Sequence, residues 1–403
     1  MKVTIDDIRK AHELLKPVIL PTETNYSLSA SNLLKSEVYF KFENTQRTGS
    51  FKFRGAYNKI SNLTADEKAR GVVASSAGNH AQGVALSATL MGVKSTIVMP
   101  ETASLSKAAA TRAYGANVVL KGEIYDEAYE QARKLERENG FTFVHPYQDP
   151  LVIAGQGTIG IEILEKVPDL DTVIIPIGGG GLISGMAVAL KALKPGIRVI
   201  GVQSDRSPGM AHLYNKQAPP PIQKRIATIA DGIAIKNPSP EMCEHFISKY
   251  VDQVVTVSDD EIAEAIVFLM ERTKAVAEGS GAASLAAAMH RGLDLGKKCC
   301  ILISGGNIDL NLVSKIIDRG QIIRGRLAEL SVIVDDVPGN LSRLTQVIAE
   351  QKANVLEVRH DRVSMGLSLR ETRIDFTLET ASREHVEQIK RAMEAAGAKV
   401  INA

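Results

Sequence analysis

The sequence predicts an α/β protein in two parts, a parallel-sheet body followed by a small ferredoxin-like tail. Two observations carry that reading. From about residue 70 to 305, short and almost continuously apolar runs alternate with longer helical stretches, the pattern of parallel strands covered by helices on both faces. After Arg326 the pattern changes to strict alternation in the order β-α-β-β-α-β. With 403 residues the chain is about twice the size of one common domain, so two or more domains are expected. Its 32 glycines and lack of tryptophan fit an α/β enzyme better than an all-β binding module.

In the body, the runs Gly71-Val72-Val73-Ala74, Thr96-Ile97-Val98-Met99, Asn117-Val118-Val119-Leu120, Val173-Ile174-Ile175-Pro176, Arg198-Val199-Ile200-Gly201 and Cys300-Ile301-Leu302-Ile303 read as buried strands. Residues 80 to 91, with Val84, Ala88 and Met91 on one face, and residues 123 to 138 have helical period. In the tail, Leu330, Val332 and Val334 form one alternating strand, and Pro338-Gly339 opens a helix with Leu341, Leu344 and Ile348 inward. Leu356 and Val358, then Ile374, Phe376 and Leu378, mark two half-buried antiparallel strands. A helix with Val386, Ile389 and Met393 and a last short strand complete it. The expected divisions are a catalytic part over 1–320 with a smaller lobe at about 45–145, a linker over 321–327 that overlaps the stretch from Asp318 to Arg326, and a tail over 328–403.

Charge narrows the function classes. The 48 Lys+Arg against 46 Asp+Glu leave a formal charge of +2, without the basic excess of a nucleic-acid or membrane-surface binder. No apolar run approaches the length of a membrane span, and the first residues lack the layout of a signal peptide, so a cytoplasmic location is expected. The three cysteines provide neither a disulfide framework nor a CxxC site, and read as buried thiols. The eight histidines show no metal-ligand spacing, and no metal site is expected. His145-Pro146-Tyr147 reads simply as an X-Pro turn after a strand.

Four segments carry residues that packing does not require. In Thr48-Gly49-Ser50-Phe51-Lys52-Phe53-Arg54-Gly55 a lysine stands between two aromatics, and an apolar pocket would depress its pKa and free its amine as a nucleophile. Ser75-Ser76-Ala77-Gly78-Asn79-His80-Ala81-Gln82-Gly83 follows a strand, where small residues let the backbone approach a ligand and a helix start favours an anion. Ile177-Gly178-Gly179-Gly180-Gly181-Leu182 also follows a buried strand, and four consecutive glycines suit backbone N–H groups wrapped around a phosphate. It is not a P-loop, because the lysine and hydroxyl of GxxxxGK[ST] are missing. Ser304-Gly305-Gly306-Asn307 ends the last strand of the body with a hydroxyl near the same cleft.

In this order, the four segments resemble the fold-type II pyridoxal-phosphate enzymes, most closely the threonine dehydratases (threonine ammonia-lyases), over about residues 5 to 320. The resemblance implies a two-lobed catalytic domain like the tryptophan synthase β-subunit, with pyridoxal 5'-phosphate as cofactor. It implies that Lys52 holds the cofactor as a Schiff base and removes the substrate α-proton, and that Asn79 bonds the pyridoxal 3'-oxygen. Gly178, Gly179, Gly180, Gly181 and the Leu182 amide would cradle the phosphate, and Ser304 would face the pyridine nitrogen. Ser75, Ser76, Gly78 and Asn79 would bind the substrate carboxylate. Glu278 matches a loop bordering the cofactor in this family, and equally suits an ordinary helix-end glutamate. The implied reaction is dehydration and deamination of L-threonine to 2-oxobutanoate and ammonia, with L-serine giving pyruvate. Serine racemases carry a serine where this chain has Ala77, and a methyl group cannot deliver a proton, so racemisation should be minor.

The tail resembles an ACT regulatory domain through Val334-Asp335-Asp336-Val337-Pro338-Gly339-Asn340-Leu341. That resemblance implies an aliphatic amino-acid effector held between paired tails near Pro338, Gly339, Asn340 and Leu341, and a homo-oligomer, dimer or tetramer. A tail that only holds the oligomer together is the alternative.

Overall fold

The computed structural model describes residues 1–218, 226–362 and 366–401. The chain divides into two compact units, Met1–Ile308 and Asp309–Ala403. The first unit opens with strands β1 (Thr24–Tyr26) and β2 (Glu37–Phe42). Next come β3 (Val72–Ser75), β4 (Ser95–Met99), β5 (Asn117–Leu120) and β6 (Thr142–Phe143). It closes with β7 (Thr172–Pro176), β8 (Arg198–Ser204), β9 (Gln253–Val257) and β10 (Lys298–Ile303). They form a six-stranded sheet, β1-β2-β10-β7-β8-β9, and a four-stranded sheet, β5-β4-β3-β6. All neighbours are parallel except β1 and β2.

The apolar runs explain these strands. β3, β4 and β7 are buried at every position, as strands covered on both faces must be. β5 departs from the expectation of a buried strand: Val118 and Val119 are half-buried and Leu120 is 40% exposed, because β5 is the edge of its sheet. β1, β2 and β9 add to the expected strands, and β6 is the strand expected before the His145-Pro146 turn. The two-residue β6 is too short to carry a period, yet it directs the chain toward the site. Asp149 then caps the helix Pro150–Lys166, accepting from the Leu151 and Val152 amides, with Pro150 in the first turn. The three cysteines are buried and free, and burial holds the Cys300 thiol up at about 12.

A set of buried charges fixes the helix Lys52–Ser61. The Arg54 guanidinium, fully buried, donates to both oxygens of the buried Glu43 at 2.8 Å and to both oxygens of Glu162. Lys41 in β2 reaches Glu162 at 2.7 Å. Two cations thus face two carboxylates, and Arg54 is held strongly in its charged form although burial opposes it. No helix among the described residues is long and apolar enough to cross a membrane.

The second unit starts with the helix Leu310–Ile323, so the stretch expected as a linker begins inside a helix, and only residues 324–326 separate that helix from β11 (Leu327–Asp335). β12 (Asn354–Asp361), β13 (Glu371–Glu379) and β14 (Lys399–Ile401) complete an antiparallel sheet in the order β12-β13-β11-β14. Helices Asn340–Glu350 and Arg383–Ala395 bury Leu344, Ile348, Ile389 and Met393 with Leu330, Val332, Ile374, Phe376 and Leu378. This is the expected β-α-β-β-α-β order. β12 is not the half-buried strand its alternation predicts. It lies at the sheet edge with a register shift between Val355 and Glu357, which leaves Leu356 55% exposed.

Replacing Arg54 by Leu strands the Glu43 carboxylate in the core and leaves Glu162 with Lys41 alone, and should cost about 3 to 5 kcal/mol of stability in urea unfolding.

Candidate active site

The carboxyl ends of β3, β7 and β10 carry three of the four segments, and the fourth enters against the last of them. Lys52 begins its helix after Phe51, and the Gly49–Phe51 loop is pinned to the loop after β10. The Phe51 amide donates to the Ser304 carbonyl at 3.2 Å, the Gly306 amide to the Gly49 carbonyl at 2.9 Å, and Ser50 bridges Gly305. From the other side, the helix Asn79–Leu90 presses Gly83 against the Lys52 backbone, where a Cβ would stand 3.1 Å from the Lys52 carbonyl carbon.

The Lys52 amine donates to the Pro146 carbonyl at 2.9 Å and lies 5.2 Å from the centre of the Phe51 ring. Phe53, the other aromatic of the motif, is buried and packs on Tyr57 instead. Burial pushes the amine down to about 8, partly opposed by the charge of Glu278. His80 and His145 are pushed down to about 3 and 4, by burial first and by Lys52 second. The imidazoles are therefore neutral at pH 7.

Asn79 links two other groups. Its Nδ2 donates to Glu278 Oε1 at 2.6 Å, and its Oδ1 accepts from Asn307 Nδ2, which also donates to the Thr48 carbonyl at 2.7 Å. One amide hydrogen of Asn79 remains for a ligand. Glu278 is 5% exposed; burial, then Asp231, push its carboxyl up to about 8, against Lys107, Asn79 and Lys52. Glu278 therefore does more than end a helix: it accepts a hydrogen bond from Asn79, and its charge is felt by the Lys52 amine. Ser304 is buried, its hydroxyl 3.5 Å from the Ser280 carbonyl.

The glycine run turns from β7 into the helix Gly181–Leu193, whose first amides have no intrahelical acceptor. Gly180 takes φ +94°, a conformation other residues rarely adopt. A Cβ on Gly179 would overlap the Tyr147 ring. The run is therefore required twice, for its own turn and for the close approach of Tyr147. Ser75 and Ser76 leave β3, the Gly78 amide donates to Ser76 Oγ at 3.2 Å, and Gly78 caps the Asn79–Leu90 helix. Ser75 Oγ and Ser280 Oγ are buried without a hydrogen-bond partner among the described residues.

The four motifs thus converge within the first unit. Its residues fit a phosphate-bearing cofactor: a helix start with free amides, a glycine cradle that side chains would fill, orphaned hydroxyls, and a lysine amine of lowered proton affinity. The family model described as pyridoxal-phosphate dependent enzyme matches residues 15–305. The chain belongs to that family. Its cofactor is pyridoxal phosphate, and an ACT domain model matches residues 324–397. This member is 48% identical to an L-threonine ammonia-lyase of Thermotoga maritima over 399 residues, 99% of each chain. Among solved structures it is similar to the processed form of threonine deaminase isoform 2 from Solanum lycopersicum (TM-score 0.72, 34% identity, covering 78% of this chain and 93% of that one). It is similar too to maize serine racemase (TM-score 0.73, 33% identity, 79% and 97%).

Pro146 and Tyr147, expected only as an X-Pro turn after a strand, belong to the site, as does Asn307, the last residue of the fourth segment; the signal for all three is their place after the carboxyl end of a strand. In the second unit, Pro338 and Gly339 are exposed, Gly339 takes φ +95°, and Asn340 and Leu341 are half-buried at the helix start. Asn340 Nδ2 donates to the Asp335 carbonyl at 2.7 Å, so the side chain already braces its own loop.

Replacing Gly179 by Val should displace Tyr147 and lower retained cofactor at least about tenfold, read from the visible absorption of the dialysed protein.

Proposed function

We propose that this protein is a threonine ammonia-lyase, converting L-threonine to 2-oxobutanoate and ammonia and L-serine to pyruvate, under control of an amino acid bound at its ACT domain. The Lys52 amine carries the reading: it is held at the meeting point of all four loops, with its proton affinity lowered by burial. The similarity to a threonine ammonia-lyase along the full chain supports threonine as the substrate.

Bound pyridoxal phosphate supplies an electron sink that acidifies the α-proton of an amino acid joined to it. Lys52 is assigned to hold the cofactor through its amine and, once freed, to take that proton. An amine near 8 serves as a base at neutral pH far better than an ordinary lysine. The amides of Gly178 to Leu182 are assigned to the phosphate, Asn79 to the ring oxygen and Ser304 to the ring nitrogen. Ser75, Ser76, Gly78 and Asn79 lie at a helix start suited to the substrate carboxylate. Water leaves from the β-carbon and water enters as ammonia departs, so the reaction is balanced without an oxidant. Ala77, half-buried against the small-lobe core, offers no group for reprotonation from that loop, which separates this reading from racemisation.

The tail is assigned an aliphatic effector, isoleucine or valine, between paired ACT domains near Asn340, in a cytoplasmic homo-oligomer. The exposed Pro338–Gly339 turn and the helix start at Asn340 support that placement.

The test is the visible spectrum of the purified protein with and without L-threonine, with oxo acid assayed together. A yellow band that changes while oxo acid accumulates is expected. A protein that stays colourless after incubation with the cofactor overturns the reading in favour of an amino-acid sensor, and a yellow but threonine-inert one in favour of serine or β-replacement substrates. Lys52→Ala should abolish turnover. In the parent, kcat should rise with pH through about 8, because the base is active only when deprotonated. Isoleucine and valine titrations should change the rate, and Asn340→Ala should weaken that response; no binding and no rate change would leave the tail a purely assembling element.

A further inference from the structure

We infer that His145 is a positioning residue for the Lys52 amine, acting through the peptide bond between Pro146 and Tyr147. The inference rests on the assignment of Lys52 as the reacting amine. His145 Nδ1 accepts from the Tyr147 amide at 3.3 Å and from the Gln148 amide at 2.8 Å. A ring nitrogen that accepts from two amides carries no proton, and the neutral state of this half-buried imidazole agrees. Lys52 Nζ donates to the Pro146 carbonyl at 2.9 Å.

The carbonyl of Pro146 and the N–H of Tyr147 belong to one planar trans peptide, in which they point in opposite directions. Holding the N–H on His145 therefore aims the carbonyl away from His145, and there it meets Lys52. The proline ring already fixes φ at 146, so the tilt of this peptide plane is the main freedom left in the turn. The same turn seats the Tyr147 ring on Gly179, and the His145 ring stands edge-on to Tyr147 with centres 4.6 Å apart. Gln148 anchors the far end, donating to Glu241 at 2.9 Å. One imidazole thus governs both the acceptor for the amine and the aromatic wall of the glycine loop. Without the cap, the peptide is free to tilt, and the amine loses its fixed acceptor. The loss should fall on steps in which the amine is free, after substrate has joined, and so on kcat more than KM.

The experiment compares His145→Phe, His145→Asn and Lys52→Ala in the full-length protein. Three quantities are measured: kcat and KM for L-threonine with cofactor loaded, the rate at which the cofactor-free protein captures pyridoxal phosphate, and its thermal unfolding. Phe keeps the ring and cannot accept; Asn presents Oδ1 to the same two amides. We expect His145→Phe to lose about ten- to a hundredfold in kcat, with slowed capture of the cofactor. Its KM should stay within about threefold of the parent, and His145→Asn should restore both rates to within several-fold. Parent-like rates in the Phe variant, or equal loss in Phe and Asn, overturn the proposal. If the Phe variant does not fold, His145→Gln, one methylene too long for the cap, should show the same loss. Turnover by Lys52→Ala would sink the assignment of Lys52 itself. An inert Lys52→Ala beside a normal His145→Phe would sink this inference alone.

Discussion

Arg54 and the two carboxylates around it hold the position from which everything else in the catalytic unit follows. Four charges, Lys41, Glu43, Arg54 and Glu162, are removed from water together, which is tolerable only as a balanced and fully bonded set. They tie β2 of the large sheet to two helices. Because the guanidinium satisfies both carboxylates only in one register, the helix Lys52–Ser61 has one placement, and Lys52 lies two residues from the clamp. The buried charge serves location, while the reacting amine next to it is kept without such a partner.

The contrast between these neighbours is the chemistry of the site. Arg54 is buried and strongly charged because two carboxylates meet it. Lys52 has only a carbonyl acceptor and a distant Glu278, so burial wins and the amine moves toward neutrality. Glu278 moves the opposite way for the same reason, its ionised form disfavoured by burial and by Asp231. Titratable groups displaced toward one another's range in a single cleft are the usual mark of acid–base work. Asn79 and Asn307 connect them through hydrogen bonds that carry no charge.

Backbone proximity is the second condition. The glycine loop approaches the turn at 145–148, and the loop after β10 approaches Gly281, more closely than side chains allow, and glycine supplies the room. That is why the glycines of this site answer to protein neighbours as well as to a phosphate. Gly179 makes way for Tyr147, and Gly83 for the Lys52 backbone.

Much of this was written in local sequence. Continuously apolar runs become β3, β4 and β7 because a strand buried on both faces needs apolar residues at every position, and the alternation of Ile374, Phe376 and Leu378 becomes β13 because one face meets helices. Lys52, Asn79, the glycine run and Ser304 were legible only as a set, because four loops in that order resemble one enzyme family while each loop alone also suits an ordinary turn or surface residue. Other features have no local signature. β5 has the composition of a core strand and is an edge, since sheet order is decided by pairing between distant segments. β12 presents Leu356 outward because a bulge shifts its register. Pro146 contributes a main-chain oxygen, which any residue would supply, so its role could not be read from residue type. The proton affinities of Lys52 and Glu278 were likewise decided only by folding, because burial and the approach of charges from remote parts of the chain are properties of the assembled cleft.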